Sequence, residues 1–224
     1  MFILKKSFLF VCIILTLTNI IFAVQILEYG AASGNYMLYI PDKPTGKLIV
    51  ALHGSGERAK MYLNGWQKEA DACGYYILAI NSEDKNGWGG NDAPRVKQLV
   101  EKVQKAYNIK YTLLNGASAG GHFALYLAIV YPQDFSGVAT FMGIVMESLK
   151  EAMQKYHVRG GKVPILLIHG TLDNKIPVVS ARWNYFFLKD QGFNVTFWEE
   201  PDMQHEFYTK DNSKILNWFE SAIK

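Results

Sequence analysis

Apolar positions fall along this chain in two alternating rhythms. Short runs dominated by apolar and β-branched residues, at 47–53, 75–81, 111–115, 135–142, 163–168 and 194–198, have the length and texture of strands. Between them, 58–73, 94–107, 121–131, 148–156 and 178–191 carry apolar residues at helical spacing, and a last helix is predicted over 213–223. Ahead of this series, 25–29 and 35–40 flank Gly30 and Ser33-Gly34 and predict a β-hairpin that starts the sheet. Strands that are apolar on both faces and alternate with helices imply an α/β fold: a mostly parallel central sheet with helices on both faces. No repeat, low-complexity linker or shift in composition marks a second domain, so residues 24–224 are predicted to form one. The connection over 143–161 has room for a single modest helix, which predicts no large cap domain.

The first residues follow a different pattern. Lys5 and Lys6 precede an apolar stretch over 8–22 that ends at Ala23. A basic start, an apolar middle and a small residue at the cleavage point predict a secretory signal peptide over 1–23. The mature domain is then secreted or periplasmic, without stable membrane association after cleavage. An uncleaved anchor is the competing reading, which the apolar length just permits against the roughly 20 residues of a spanning helix.

Half the residues are apolar and 14% are aromatic, which suits a well-packed globular core. Of 23 basic residues, removal of Lys5 and Lys6 leaves 21 against 20 acidic ones, so the mature domain is almost neutral and no nucleic-acid partner is expected. Cys73 is then the only cysteine, so no internal disulfide is available; at the apolar end of a helix it is expected to be a buried structural thiol.

In parallel α/β sheets ligands gather at the carboxyl ends of strands, so the residues that follow strands carry the functional question. Gly116-Ala117-Ser118-Ala119-Gly120 joins a strand to a helix. These residues fit a nucleophile elbow, in which small flanking side chains let strand and helix pass closely and hold the Ser118 hydroxyl out of the sheet. Taken alone, they also fit a Gly/Ser turn opening a helix.

A serine hydroxyl is inert without a base to take its proton. Of the five histidines, His53 and His169 end strands directly before glycine and suit hydrogen bonding within their loops; His122 lies inside the helix after the elbow, and His157 beyond a polar helix. His205 follows a strand and a loop and precedes the final helix, where triads on α/β-hydrolase sheets place the base in their order of serine, acid, histidine. Asp173, in the loop after the 163–168 strand, falls between the two as the orienting acid; Glu147 is a reserve, and Asp202 lies too close to His205 in the chain.

Leu52-His53-Gly54-Ser55-Gly56 is a second strand end, whose glycines turn backbone N–H groups toward the site. The N–H groups of Ser55 and Ala119 are the expected oxyanion donors. A plain Gly-rich turn is the alternative; a phosphate loop lacks its Gly-Lys-Ser/Thr ending. The polar, Gly-rich loop over 81–92 carries Trp88 and Asn91, expected with Ile176 to touch substrate; Trp88 equally suits anchoring of its own loop. Asp84 and Asp92 have no regular ligand spacing, so no metal is expected.

With these motifs in place, the chain from Lys47 onward resembles serine esterases of the α/β-hydrolase superfamily, in particular the secreted group around polyhydroxybutyrate depolymerases and feruloyl or acetyl xylan esterases. The resemblance rests on Leu52-His53-Gly54-Ser55-Gly56, on Gly116-Ala117-Ser118-Ala119-Gly120-Gly121, and on His169-Gly170-Thr171-Leu172-Asp173-Asn174-Lys175-Ile176-Pro177. The second half is also similar to carboxylesterases and acyl-protein thioesterases. The resemblance implies Ser118 as nucleophile, His205 as general base and acid, Asp173 as orienter, and Ser55 and Ala119 as oxyanion donors. It further implies a cofactor-free ester hydrolase acting on a small-molecule or oligosaccharide-linked ester. A serine peptidase on the same scaffold is the alternative enzyme, and a non-catalytic exported binding protein the alternative of another class.

Overall fold

A computed structural model describes residues 25–29, the first strand, together with 36–208 and 211–224. The predicted signal peptide over 1–23 lies outside the described residues. Eight strands and six helices follow in the order β1 (Gln25–Tyr29), β2 (Tyr36–Ile40), β3 (Lys47–Leu52), α1 (Ala59–Cys73), β4 (Tyr75–Ile80), α2 (Asp92–Ala106), β5 (Tyr111–Ala117), α3 (Ala119–Val130), β6 (Gly137–Phe141), α4 (Glu147–Lys155), β7 (Gly161–Gly170), α5 (Val178–Asp190), β8 (Phe193–Glu200) and α6 (Asn212–Ala222).

The strands form one sheet in the order β1-β2-β4-β3-β5-β6-β7-β8. Only β2 runs antiparallel to its neighbours; the remaining pairs are parallel, with Val50 opposite both Leu78 and Leu114. Successive side chains of a strand point to opposite faces, so an all-apolar strand feeds two cores. On one face Leu48, Val50 and Leu52 join Leu78, Ile80, Val138, Ile165 and Leu167 beneath α2 and α3; on the other Ile49 and Ala51 join Ile77, Ala79, Phe141, Leu166 and Ile168 beneath α1 and α6. The same spacing selects the helix faces: Ala93, Val96, Val100 and Val103 of α2 on one side, Tyr62, Leu63, Trp66 and Ala70 of α1 on the other. Each such Leu, Ile or Val contributes about 1.5–3 kcal/mol by leaving water.

From β3 the chain crosses by α1 to β4 on one side and then returns by α2 to β5 on the other. The strand order therefore reverses at β3, opening a crevice at the carboxyl ends of β3 and β5 where ligands collect in such sheets. Asn115, fully buried, ties the layers together just below that crevice: its amide donates to the Ala139 carbonyl at 2.8 Å and accepts from Trp66 Nε1 at 3.0 Å. Only α4 occupies the β6–β7 connection, so among the described residues no large cap covers the crevice. Among the described residues no helix is long and apolar enough to cross a membrane.

The expected burial of Cys73 is corrected: the thiol is exposed. The buried stripe of α1 ends at Ala70. Gly74, at φ 70°, terminates the helix one residue after the cysteine, and Cys73 lies three residues beyond the last buried position of the helix.

Candidate active site

Three chain segments converge at the carboxyl edge of the sheet. Ser118 lies between β5 and α3 with φ 50° and ψ −119°, a conformation costing roughly 1–3 kcal/mol for a residue with a side chain. Two features hold it there. Its N–H donates to the Phe141 carbonyl at 2.8 Å. Gly120, one helical position beyond Ala119, lies so close to β3 that a Cβ would overlap the Leu52 carbonyl and stand 2.5 Å from the His53 oxygen. The helix can start at that angle only with glycine there.

His205, on the loop between β8 and α6, places Nε2 3.0 Å from Ser118 Oγ and Nδ1 2.8 Å from Asp173 Oδ2. A carboxylate only accepts, so Nδ1 carries the proton and Nε2 is left to receive the serine hydroxyl. Asp173 sits after β7 with its carboxylate fully buried. Burial by itself pushes that carboxyl up, but donation from the Ile176 N–H, His205 and the Lys175 N–H outweighs it and holds Asp173 below the usual carboxylate range. His169 lies behind the acid, its Nε2 donating to the Ile176 carbonyl at 2.7 Å and standing 3.3 Å from Asp173 Oδ2; burial pushes its pKa down and keeps the ring neutral.

Facing Ser118 is the turn after β3. Glu57 anchors it by accepting from the Gly54 N–H at 2.8 Å and the Tyr62 hydroxyl at 2.6 Å. The Gly56 N–H and the Ser55 hydroxyl both reach the 81–92 loop, at the carbonyls of Lys85 and Asn86. Once those groups are engaged, the N–H groups of Ser55 and Ala119 have no acceptor among the described residues. Free donors beside a serine, one of them at a helix N-terminus, suit a developing negative charge.

Two recesses flank the serine. A polar notch of about 200 Å³ is lined by Glu57, Lys175, His205, Glu206 and Phe207 as well as Ser118. An aromatic cleft of about 450 Å³ runs from Ala119 along α3 past His122, Phe123 and Tyr126, closed by Trp88 and Leu149. Trp88 is both anchor and wall: its Nε1 donates to the His53 carbonyl at 2.8 Å, while its ring stacks on Phe123 with centroids 5.0 Å apart.

The remaining expected contacts are placed differently. Asn91 is exposed at the start of α2 and lines neither recess; Ile176 lines neither, and its main chain instead binds Asp173 and His169. Glu147 opens α4, exposed and paired with Lys150 at 3.1 Å, and Asp202 is an exposed turn residue. His53 stays within its own loop and neighbour, reaching the Gly54 carbonyl at 2.7 Å and the Ser82 N–H at 3.0 Å. Asp92 accepts from the N–H groups of Glu83 and Gly89 and from Arg95, and so shapes the loop that carries Trp88. Sequence reasoning missed Glu57 and Asp92 as organisers of the site, and the cleft itself; His169 hydrogen-bonds within its loop as expected, and its place behind Asp173 is the part not foreseen.

The sequence profile of the phospholipase/carboxylesterase family matches residues 75–223, which contain all three converging side chains. The chain belongs to the phospholipase/carboxylesterase family. Ester hydrolysis on an α/β-hydrolase fold is that family's chemistry. Among curated proteins, lysophospholipase-like protein 1 of Mus musculus is 27% identical over 121 residues, covering 54% of this chain and 50% of that protein. The poly(3-hydroxyoctanoate) depolymerase of Pseudomonas fluorescens is 26% identical over 113 residues, covering 50% and 41%. The matched stretches thus span half or less of these relatives' length. The carboxylesterase of Bacillus cereus superposes with a TM-score of 0.67 at 15% identity, over 85% of this chain and 95% of that one, a likeness of fold. The family is broader than the secreted xylan esterase group that the motifs resemble.

Proposed function

We propose that the protein is a serine carboxylic-ester hydrolase that works through an acyl-enzyme. The observation that carries this reading is the continuous hydrogen-bonded relay from Ser118 through His205 to Asp173. Ser118 Oγ attacks the ester carbonyl as His205 Nε2 takes its proton, and the N–H groups of Ser55 and Ala119 receive the oxyanion. His205 then returns the proton to the departing alcohol. Water, activated by the same ring, cleaves the acyl-Ser118 bond. Asp173 keeps the imidazole in the required tautomer and supports its positive charge in both steps. Each oxyanion donor lowers the barrier by about 3 kcal/mol.

The substrates are acylated carbohydrates or hydroxycinnamoyl and short-chain acyl esters, and the enzyme acts outside the cytoplasm. The open crevice supports the first statement, because no large cap limits the size of the alcohol; the basic, apolar and Ala23-terminated leader pattern supports the second. The test compares wild type with Ser118→Ala on nitrophenyl esters, methyl ferulate, acetylated xylan oligomers and hydroxybutyrate oligomers. Turnover that disappears in the variant is expected; folded wild-type protein inert on every ester would overturn the reading.

A further inference from the structure

The proton path decides where the alcohol half of an ester lies. His205 Nε2 takes the serine proton and must hand it to the leaving oxygen. That oxygen therefore sits beside the ring, and the rest of the alcohol extends into the recess that Ser118 and His205 share, the polar notch of about 200 Å³. Its place as the alcohol subsite follows from the relay, independently of the other groups that line it.

Those other groups give the notch a charge. Among the described residues its charged side chains are Glu57, Lys175 and Glu206, two carboxylates against one ammonium; Arg58, next to Glu57 in the chain, does not line it. Neither Lys175 nor Glu206 forms a side-chain ion pair among the described residues, so the charges of the notch are not cancelled by one another. They also differ in freedom. Glu57 is half-buried and held, its Oε2 accepting from the Gly54 N–H at 2.8 Å and from the Tyr62 hydroxyl at 2.6 Å. Glu206 is exposed, but both neighbours in the chain are fixed: His205 by Asp173, and Phe207 by edge-to-face contacts with Tyr62 and Phe141 at 4.7 and 5.0 Å between centroids. Lys175 is exposed on a flexible four-carbon stem that lets its ammonium move out into water. A held carboxylate, a second one on anchored backbone and a mobile ammonium leave the notch net negative. Phe207 adds an aromatic wall, and a ring beside carboxylates suits an alkylammonium group.

We propose that the notch selects the leaving alcohol by charge, favouring one that carries an ammonium group a few bonds from its hydroxyl over one that carries an anion, with Glu206 as a specificity-determining residue. This rests on the esterase reading above and adds to it the charge class of the alcohol. The test measures kcat/KM for three esters of one acyl group, the group that wild type turns over fastest. Their alcohols are choline, its neutral isostere 3,3-dimethylbutanol, and 2-hydroxyethanesulfonate. Each value is divided by the ester's rate of hydroxide hydrolysis, which removes the intrinsic difference between leaving groups. At low ionic strength wild type is expected to favour the choline ester over the neutral one, and the neutral one over the sulfonate, by about three- to fivefold each, the scale of a partly exposed charge pair. At about 1 M salt, where screening shortens to about 3 Å, both ratios should approach one. Glu206→Gln keeps the shape and should lower the choline-to-neutral ratio about two- to fourfold, whereas Lys175→Gln should raise it. A carboxylate that acted only on the basicity of His205 would change all three esters alike and leave the ratios where they are. Ratios of one in wild type, or ratios that Glu206→Gln leaves unchanged, overturn the inference while Ser118-dependent hydrolysis stands. Absence of Ser118-dependent hydrolysis on every ester overturns the esterase reading itself.

Discussion

Two glycine-rich stretches border Ser118, and they are glycine-rich for opposite reasons. In the elbow a side chain on Gly116 would strike the backbone of Gly120, and one on Gly120 the backbone of β3. Across the cleft, a Cβ on Gly87, Gly89 or Gly90 would meet nothing within 4 Å. The elbow glycines thus permit an approach that the chemistry requires, whereas the loop glycines leave space beside Trp88. One side of the site is built to be rigid and the other to be roomy. Catalytic geometry belongs to the first, and choice of substrate to the second.

Substitutions should separate the two sides. Gly120→Ala has no flexible neighbour to displace, only backbone, and is expected to cost about 3 kcal/mol or more, the upper range for overpacking. At this chain length that lowers Tm by roughly 6–12 °C, measured by calorimetry, if folded protein is recovered. Gly90→Ala should move stability by no more than about 0.5 kcal/mol. Its effect should instead appear as a changed KM for aromatic esters relative to acetates; an equal loss of stability at both positions would remove the distinction.

Asp173→Asn keeps the shape of the rigid side and removes its charge. It should lower kcat by about 10⁴, as loss of the orienting acid does in such triads, with circular dichroism unchanged. A fall of less than tenfold would point to a structural role for this buried carboxylate.

The histidines supply a pH-dependent contrast of smaller size. His53, His122 and His169 are each held below the ordinary histidine value, first by burial. Groups depressed in the folded state bind protons more readily when unfolded, so the stability they contribute is complete above about pH 6.5 and is lost as pH falls through their folded values, about 4 for His122. Asp173 adds the same sign at lower pH. Tm should therefore decline between pH 7 and pH 4, and His122→Asn should flatten that decline by the equivalent of one proton. A flat profile in wild type would contradict the buried neutral rings.

Much of the rigid side is legible in sequence, because its constraints are local. Apolar runs identify the strands, and the crowding around Ser118 demands small neighbours within five residues of chain. The order of Ser118, Asp173 and His205 follows from the same sheet. The supports that reach across the fold, on either side, are not legible in this way. Glu57 acts on a turn three residues back, but its partner Tyr62 is fixed only by the packing of α1; Asp92 organises the Trp88 loop through N–H groups whose direction no periodicity encodes. Ile176 is expected to touch substrate, yet its main chain is what holds Asp173 and His169. His122 looks in sequence like one more helix residue; only the Ile144 N–H, arriving from the loop after β6, fixes its tautomer. The exposure of Cys73 is not legible either, because periodicity does not say at which turn the buried stripe of a helix ends, here at Ala70.

The most direct test is intact-mass analysis after exposure to a fluorophosphonate, which reports an activated serine without any choice of ester. One adduct per chain is predicted, mapped to the peptide containing Ser118, absent in Ser118→Ala and strongly slowed in His205→Gln. A folded wild-type chain that takes no adduct, or one still labelled after Ser118→Ala, would contradict the relay at the centre of this account.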